Sequence, residues 1–418
     1  MGPGLVTGAS DDDPSGIATY AQVGAKFRFD MAWSALLTFP LMAAVQEICD
    51  RTALATGKGL GDLFRARFAG KAKVVVSALT VLLLVANVLN IAADLLAVGA
   101  GMHLLHAGPI TLWAPLAGVA LTVLTISGSF ELLARALKYL CLALASYVVV
   151  LFFSNVPWRT VVWSTIIPHP HASRDYVALV VAVLGTTISP YLLFWQSAHR
   201  VEELKADPEG GSRAVTLDER PRVDAKRKQR RSRLDVFAGM AISNLVMFSI
   251  IVATGATVGR DGSTQIDSAA QAAQALRPFA GSLASVLFAF GFIGSGLLAV
   301  PVLAGSSASE AAGLAGKDWG FSQRLRQAPF FYEIVAVGTL GGSLLSLAGI
   351  NPIDTLIVVA LLNGIAAAPF LILVMVIADD TTIMGDHANH TLAKLLGWGT
   401  AAIMTIAAAT VIATTLIH

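Results

Sequence analysis

Residues 8–16 read GASDDDPSG, so three consecutive aspartates and a proline interrupt a stretch that is otherwise apolar. Proline lacks a backbone N–H and disfavours the helical conformation of the residue before it. A helix that begins near the N-terminus is therefore expected to break at Asp13. The same design recurs in residues 185–193, GTTISPYLL, where Ser189 precedes Pro190. These two predicted breaks, each within an apolar segment, decide the fold.

The composition indicates that lipid surrounds most of the chain. Its 418 residues are 55% hydrophobic and 13% charged, with a mean hydropathy of +0.70, whereas soluble domains carry about 25% charged residues. A transmembrane helix needs roughly 20 apolar residues, and eleven stretches of about that length are present. The chain is therefore predicted to be an all-α integral membrane protein. The predicted spans are 3–26, 32–55, 72–98, 108–129, 132–155, 176–199, 234–258, 281–306, 328–349, 352–378 and 393–417.

The positive charges predict the orientation in the membrane. Most of the 29 Lys and Arg residues lie in or beside the connections that follow even-numbered spans. Because such residues stay in the cytoplasm, the N-terminus is predicted to be cytoplasmic and the C-terminus extracellular, in the cell membrane. The basic segment 202–233 is interpreted as a solvated cytoplasmic loop, although it could also attract anionic lipid head groups. No nucleic-acid partner is predicted, and a monomer is expected.

The two predicted breaks lie in the first and the sixth spans. An odd number of spans in a repeat inverts the second copy in the membrane, so this spacing is typical of transporters with a five-plus-five inverted repeat. The first repeat would comprise residues 1–155 and the second residues 176–378. Residues 393–417 would form an additional eleventh helix.

The first break is predicted to bind a cation. Freed backbone carbonyls are tolerated in a bilayer only where they face protein or a water-filled cavity, and each Asp at mid-membrane costs roughly 2.5–3.5 kcal/mol. A bound cation would offset that cost. Successive helical positions point about 100° apart, so the three carboxylates cannot converge unless the backbone unwinds. Asp13 is expected at the break, with Asp11 and Asp12 at the wall or entrance of the cavity.

Four segments together carry a resemblance to a known family. Residues 2–25 (GPGLVTGASDDDPSGIATYAQVGA) are similar to a first helix with the motif Asp-Pro-Gly-Asn, and residues 46–65 (QEICDRTALATGKGLGDLFR) to the end of the second helix. Residues 93–100 (ADLLAVGA) occupy the position of an Asp-Leu-Ala-Glu motif in the similar sequences. Residues 184–197 (LGTTISPYLLFWQS) occupy the position of their Ala-Thr-Val-Met-Pro-His-Asn motif. These are motifs of the Nramp transition-metal transporters. The resemblance covers nearly the whole chain and implies the leucine-transporter fold, with discontinuous first and sixth helices.

The differences from these motifs indicate which branch of the family the chain resembles. Asp13 keeps the motif aspartate, but Gly16 stands in place of the metal-binding asparagine and Ser189 in place of the metal-binding methionine. Tyr191 stands in place of the motif histidine, and Thr186 in place of the alanine whose carbonyl helps to hold the ion. This set of changes resembles the Nramp-related magnesium transporters.

The chemistry of these replacements favours Mg²⁺. A thioether favours Mn²⁺, Fe²⁺ and heavier metals over hard cations, so its loss removes a filter against Mg²⁺. Mg²⁺ keeps several waters beside one or two carboxylates, and glycine at position 16 would leave room for them. The predicted substrate is Mg²⁺, and also Mn²⁺, carried as a partly hydrated ion without a cofactor. The predicted contacts are the Asp13 carboxylate, the Ser10 and Thr186 carbonyls, Asp12, the Ser189 hydroxyl through water, and the space at Gly16.

The resemblance also bears on energy coupling. The family passes protons along acidic and histidine residues through its third helix; here Asp94 is kept, while Ala97 stands in place of the glutamate and Tyr191 in place of the histidine. Uptake is therefore predicted to be driven by the membrane potential, which supplies about 4.6 kcal/mol to a divalent ion at 100 mV. Asn363, in the tenth span, is a further predicted pathway residue.

Three alternatives remain open. A proton-coupled Mn²⁺ or Fe²⁺ transporter and a sodium-coupled organic-solute symporter share the predicted fold, although three adjacent acids would repel a carboxylate substrate. Residues 59–62, GLGD, match the pattern of intramembrane aspartyl proteases, but so short a pattern often arises by chance. The sequence has no phosphate-binding loop of the Walker type. The chain is therefore not expected to be an enzyme or to use ATP.

Overall fold

The computed structural model describes residues 2–127, 145–153, 155–171, 173–207, 213–261 and 265–416, and the regular structure within them is entirely helical. Helices of eight or more residues are numbered in chain order. They are α1 (Pro3–Asp11), α2 (Pro14–Phe27), α3 (Trp33–Thr56), α4 (Leu60–Arg67), α5 (Gly70–Leu104), α6 (Ile110–Ile126), α7 (Ala145–Phe153), α8 (Trp158–Ile166), α9 (Arg174–Thr187), α10 (Pro190–Ala206), α11 (Arg222–Ala256), α12 (Ala284–Ala315), α13 (Pro329–Leu345), α14 (Pro352–Asp379) and α15 (Thr391–Leu416).

These helices confirm the predicted all-α fold. In the described part of the chain, 7 helical segments are long and apolar enough to cross a membrane. The predicted first span is divided into α1 and α2, and the sixth into α9 and α10. The predicted fifth span, 132–155, lies mostly outside the described residues, which include α7 at its end. The total of eleven spans and the inverted repeat stay predictions.

The two breaks have the same local cause. Asp13 (φ −67°, ψ 168°) and Ser189 (φ −70°, ψ 135°) are both extended, and each precedes a proline that begins the next helix. Proline suits the first helical position because its φ is already near the helical value and no N–H is needed there. The chain therefore leaves the helical conformation at Asp12 and Asp13, and again at Ile188 and Ser189.

Glycine contacts fix the first half of each broken span against one long helix. α1 packs on α11, where a Cβ on Gly8 would overlap the Gly239 carbonyl. α9 packs on α14 in the same way, because a Cβ on Gly185 would overlap the backbone of Ala360 and Gly364. Small residues let helices approach closely within membranes. Both unwound segments are thereby held in the interior of the bundle.

Candidate functional site

Asp13 lies in the first unwound segment and caps the helix that follows it. Its Oδ1 accepts hydrogen bonds from the Ser15 hydroxyl at 2.6 Å and from the Gly16 N–H at 2.9 Å. Its Oδ2 accepts from the Tyr191 hydroxyl at 3.0 Å. A carboxylate offers about four acceptor directions, so Oδ2 keeps a direction for a further ligand. Asp13 is thus both the N-cap of α2 and a candidate cation ligand.

Tyr191 joins the two breaks. Its hydroxyl lies 3.2 Å from the Ser10 carbonyl as well as 3.0 Å from Asp13. A second contact between the breaks is the 3.3 Å distance between the Ser15 and Thr186 hydroxyls. These five residues are each at most 1% exposed. The structure therefore brings the predicted residues Ser10, Asp13, Thr186 and Tyr191 together.

Ser189 contacts the end of its own helix. Its hydroxyl donates to the carbonyls of Gly185 at 2.6 Å and Thr186 at 3.0 Å. The last carbonyls of a helix have no partner within it, and Ser189 supplies one for α9. Two predicted ligands, the Thr186 carbonyl and the Ser189 hydroxyl, are therefore bonded to each other in this conformation.

The space predicted at Gly16 is absent. A Cβ at this position would lie 3.1 Å from Thr186 Oγ1, 3.2 Å from Tyr20 Cε2 and 3.4 Å from the Asp11 carbonyl. The missing side chain allows the first turn of α2 to pack closely against its neighbours instead of leaving a cavity. The prediction of water-sized room at Gly16 is wrong for this conformation, although Gly16 does contact Asp13 through its N–H.

Asp11 and Asp12 are bonded to α11. The Ser243 hydroxyl lies 2.5 Å from Asp11 Oδ2 and 3.2 Å from Asp12 Oδ1. Asp11 Oδ1 is buried and has no hydrogen-bond partner among the described residues. The predicted ligand Asp12 is therefore bonded to α11, whereas Asp13 is bonded to Ser15, Gly16 and Tyr191. Within the described ranges, no three His, Cys, Asp or Glu side chains form a group that could hold a metal ion.

Two predicted pathway residues are buried without polar partners. Both carboxylate oxygens of Asp94 in α5, and both amide atoms of Asn363 in α14, lack a hydrogen bond to any part of the chain that the structure describes. A Cβ on Gly296 of α12 would lie 2.9 Å from the Asp94 carbonyl and 3.4 Å from the Pro14 ring. Asp94 therefore lies near the start of α2. An unpaired buried acid costs free energy, so Asp94 is a candidate to interact with water, a proton or an ion.

At the end of the bundle predicted to face outside, α2 and the segment after it contact α9 and the segment before α9. His171 Nε2 lies 2.8 Å from Asp30 Oδ2, and Lys26 Nζ lies 2.7 Å from Asp175 Oδ2. The His171 ring also packs on Tyr176, with 5.3 Å between the ring centroids. These contacts, the outer tie, connect parts of both broken spans.

At the end predicted to be cytoplasmic, a buried cation joins three helices. Arg200 Nε on α10 donates to Asp50 Oδ1 on α3 at 2.6 Å, and Arg200 Nη1 contacts Glu203. Asp50 also accepts from Gln196 Nε2 at 2.7 Å and from the Ser232 hydroxyl on α11. The Arg200 and Asp50 side chains are each 3% exposed. These contacts, the inner network, hold α3, α10 and α11 together.

Several of these residues escape sequence reasoning. Ser15 is the one with a local signal, because it lies two residues after Asp13 and directly after the break. Ser243 has none, since its partner Asp12 is 231 residues away. The sequence predicts Tyr191 only as a pathway residue, whereas the structure places its hydroxyl on Asp13.

Known sequences resemble this chain along nearly its whole length. The sequence model of one family, described as natural resistance-associated macrophage protein-like (Nramp), matches residues 4–414. A protein of Aeromonas hydrophila called divalent metal cation transporter MntH is 24% identical over 409 residues, which cover 95% of this chain and 91% of the relative. A Klebsiella pneumoniae protein of the same name is also 24% identical, with coverage of 97% and 91%.

Solved structures confirm the leucine-transporter fold. The crystal structure of the Eremococcus coleocola manganese transporter superposes with a TM-score of 0.73 at 17% identity, covering 97% of this chain and 84% of that one. Mhp1, a nucleobase-cation-symport-1 family transporter in a closed conformation, gives a TM-score of 0.57 at 15% identity, with coverage of 99% and 93%. Likeness at these identities concerns the fold alone.

Proposed function

Because this chain belongs to the Nramp family, we propose that it transports divalent metal cations across the cell membrane. Within that class the proposed substrates are Mg²⁺ and also Mn²⁺, carried as partly hydrated ions by alternating access and driven by the membrane potential. The N-terminus and the basic segment 202–233 would lie in the cytoplasm, and the protein would act as a monomer.

The observation that carries this proposal is the meeting of both breaks at one buried carboxylate. Asp13 lies beside the Ser10 carbonyl and the hydroxyls of Ser15 and Tyr191, and Ser15 contacts the Thr186 hydroxyl. All of these oxygens are hard donors, which suit Mg²⁺ and Mn²⁺. A cation could take the place of the Tyr191 O–H at Asp13 Oδ2.

The contacts also favour an ion that keeps water. The Thr186 carbonyl and the Ser189 hydroxyl are bonded to each other, and Asp12 is bonded to Ser243. Asp13 and the Ser10 carbonyl then remain as the nearest protein ligands. Mg²⁺ demands octahedral coordination and dehydrates reluctantly, so water would fill most of its positions.

The contacts at the two ends of the bundle agree with transport by alternating access. The outer tie and the inner network are both formed in this conformation, and Asp13 is 1% exposed. An ion entering from outside would require α2 to separate from α9, and release into the cell would require α10 to move from α3 and α11. The breaks at Asp13 and Ser189 provide hinges for such movements.

A proton-coupled Mn²⁺ transporter is the second candidate. Asp94 supports it, because this buried acid has no hydrogen-bond partner in the described ranges. Absence of coupling is favoured because Ala97 offers no titratable group one turn further along α5, and the Tyr191 phenol has a reference pKa near 10. One acid without a successor is a poor route for a proton across the rest of the membrane.

The first expected result concerns ion selectivity. Mg²⁺ should inhibit Mn²⁺ uptake into proteoliposomes, because both ions would meet the same hard oxygens. Ser189→Met places a thioether at the break, which should favour softer ions. We expect the affinity for Cd²⁺ relative to Mg²⁺ to rise by at least about tenfold, which corresponds to ~1.4 kcal/mol.

Ser189→Ala is the matched control, because it removes the same hydroxyl without adding sulfur. Its relative Cd²⁺ affinity should stay near that of the unmodified protein. Robust Mn²⁺ uptake that millimolar Mg²⁺ does not reduce would contradict Mg²⁺ as a substrate.

The second expected result is transport without proton movement. An imposed membrane potential, negative inside, should drive Mg²⁺ into liposomes while a trapped pH dye records no change. Asp94→Asn should keep at least about half of the flux, since a structural amide can replace an uncoupled acid at little cost. Internal acidification that scales with metal concentration, and that Asp94→Asn removes, would establish the proton-coupled alternative instead.

A further inference from the structure

A polar cavity of about 220 Å³ lies at the end of the bundle predicted to be cytoplasmic. It is distinct from the Asp13 site, because its walls come from the ends of α3, α10 and α12 and from the short helix α4. The residues lining it are Gly57, Asp62, Arg65, Val201, Lys205, Gly316, Lys317, Asp318 and Trp319.

Three cations converge on this cavity from three separate elements. Arg65 belongs to α4, Lys205 to the end of α10, and Lys317 follows α12. No acid of the described chain lies within ion-pair distance of any of them, whereas Arg67, two residues beyond Arg65, pairs with Asp380 at 2.9 Å. None of the three positive charges is therefore held in a direct ion pair within the described chain.

The Trp319 side chain contacts both an acid and a cation of the cavity. Trp319 Nε1–H donates to Asp62 Oδ2 at 3.1 Å, and Lys205 Nζ lies 5.2 Å from the centroid of the Trp319 ring. Such a distance allows a cation–π attraction, which orders the ammonium group. The absence of a side chain at Gly316 leaves room for Arg65, because a Cβ on Gly316 would lie 2.6 Å from Arg65 Nη1.

The acids in the cavity leave its charge positive. Its lining carries three cations and two acids, Asp62 and Asp318. The buried Glu202, which also interacts with Lys205, accepts a hydrogen bond from the Ser322 N–H at 2.8 Å. Burial raises the pKa of the Asp62 carboxyl, the hydrogen bond from Trp319 lowers it, and the charges of Arg65 and Lys205 also act to lower it. Burial is the largest of these effects, so the pKa of the Asp62 carboxyl stays above its ordinary value.

We propose that this cavity binds a phosphate group, either the head group of an anionic lipid or a soluble phosphate of the cytoplasm. Phosphate oxygens match the fork of an arginine and the point charges of two lysines. The cavity includes Gly57, which directly follows α3 at the end of a predicted membrane span, and it would therefore lie at the level of the lipid head groups. A bound phosphate would bridge α10, the second half of a broken span, to α4 and to the end of α12.

The test measures binding and needs no transport. Protein stripped of lipid in a sugar detergent is titrated with inorganic phosphate and with pyrophosphate by calorimetry. In a second arm, phosphatidylglycerol adducts are measured by native mass spectrometry, with a glycolipid that lacks phosphate as the negative control. The variant Arg65→Gln/Lys205→Gln should bind at least about tenfold more weakly in one of the arms.

The matched control is Lys71→Gln/Lys73→Gln, which removes two exposed charges from the neighbouring start of α5. This control variant should bind phosphate and phosphatidylglycerol with the same affinity as the unmodified protein. If Arg65→Gln/Lys205→Gln does not fold, Lys317→Gln, at an exposed position on the cavity wall, should still weaken binding severalfold. Loss in the calorimetric arm would identify a soluble phosphate, and loss of lipid adducts a head group. Equal binding by the cavity variants and the control, or no binding in either arm, would overturn the proposal.

Discussion

Asp13→Asn should reduce Mg²⁺ and Mn²⁺ uptake to the level of empty liposomes. The amide preserves the size of the side chain and can still accept hydrogen bonds from Ser15 and Gly16. It removes the charge of Asp13, which is the one carboxylate among the described contacts between the two breaks, and a divalent ion would then lose its nearest counter-charge. We expect at least about a hundredfold lower flux, equivalent to ~2.7 kcal/mol, measured with metal-sensitive dyes inside proteoliposomes.

The control for this variant is Asp354→Asn. Asp354 is exposed in the first turn of α14, so the same change of charge there should leave the flux within about twofold. Protein recovery and thermal stability should match for the two variants. Substantial uptake by folded Asp13→Asn would place the ion site elsewhere in the bundle.

Arg200→Ala is expected to cause the largest loss of stability. Its removal leaves the buried Asp50 carboxylate without its cation, whereas the partly buried Glu203 keeps its ion pair with Lys228 at 2.9 Å. An uncompensated buried charge of this kind lowers the free energy of unfolding by roughly 3–5 kcal/mol. The change would be measured by denaturant unfolding in mixed micelles, together with the fraction of protein recovered as a monodisperse species.

Arg213→Ala provides the comparison for that loss. Arg213 is 69% exposed and pairs with Glu219 in the basic segment, and exposed pairs contribute about 1 kcal/mol or less. Arg200→Lys should fall between the two, because the charge stays while the second hydrogen bond is lost. Equal stability of Arg200→Ala and Arg213→Ala would mean that the inner network does not stabilise this conformation.

Local chemistry makes the breaks predictable. Proline acts on its own residue and on the one before it, so DDDP and ISP reveal where α1 and α9 end without any tertiary information. The apolar lengths reveal the spans in the same way, because the thickness of the bilayer sets them. The structure divides the first and sixth spans as these local rules predict. The segment 202–233 is not a loop throughout, because α10 extends to Ala206 and α11 begins at Arg222.

The ligand geometry is only partly predictable. Proximity to a break identifies Asp13 and Ser10, and the family resemblance identifies Thr186 as a further contact and Tyr191 only as a pathway residue. The directions in which the side chains point cannot be predicted in this way. Ser189 turns back to its own helix, and Asp12 is bonded to Ser243 of α11, so neither reaches Asp13 in this conformation.

The sequence by itself determined the membrane environment, the two broken helices and the single aspartate at the first break, because each of these depends on composition or on neighbouring residues. The tertiary structure alone decided that Tyr191 bonds to Asp13, that Gly16 packs tightly, and that Arg200 meets Asp50. Those outcomes depend on how closely helices distant in sequence approach one another. Helix approach is set by the summed packing of many side chains and glycine contacts, which no short stretch of sequence contains.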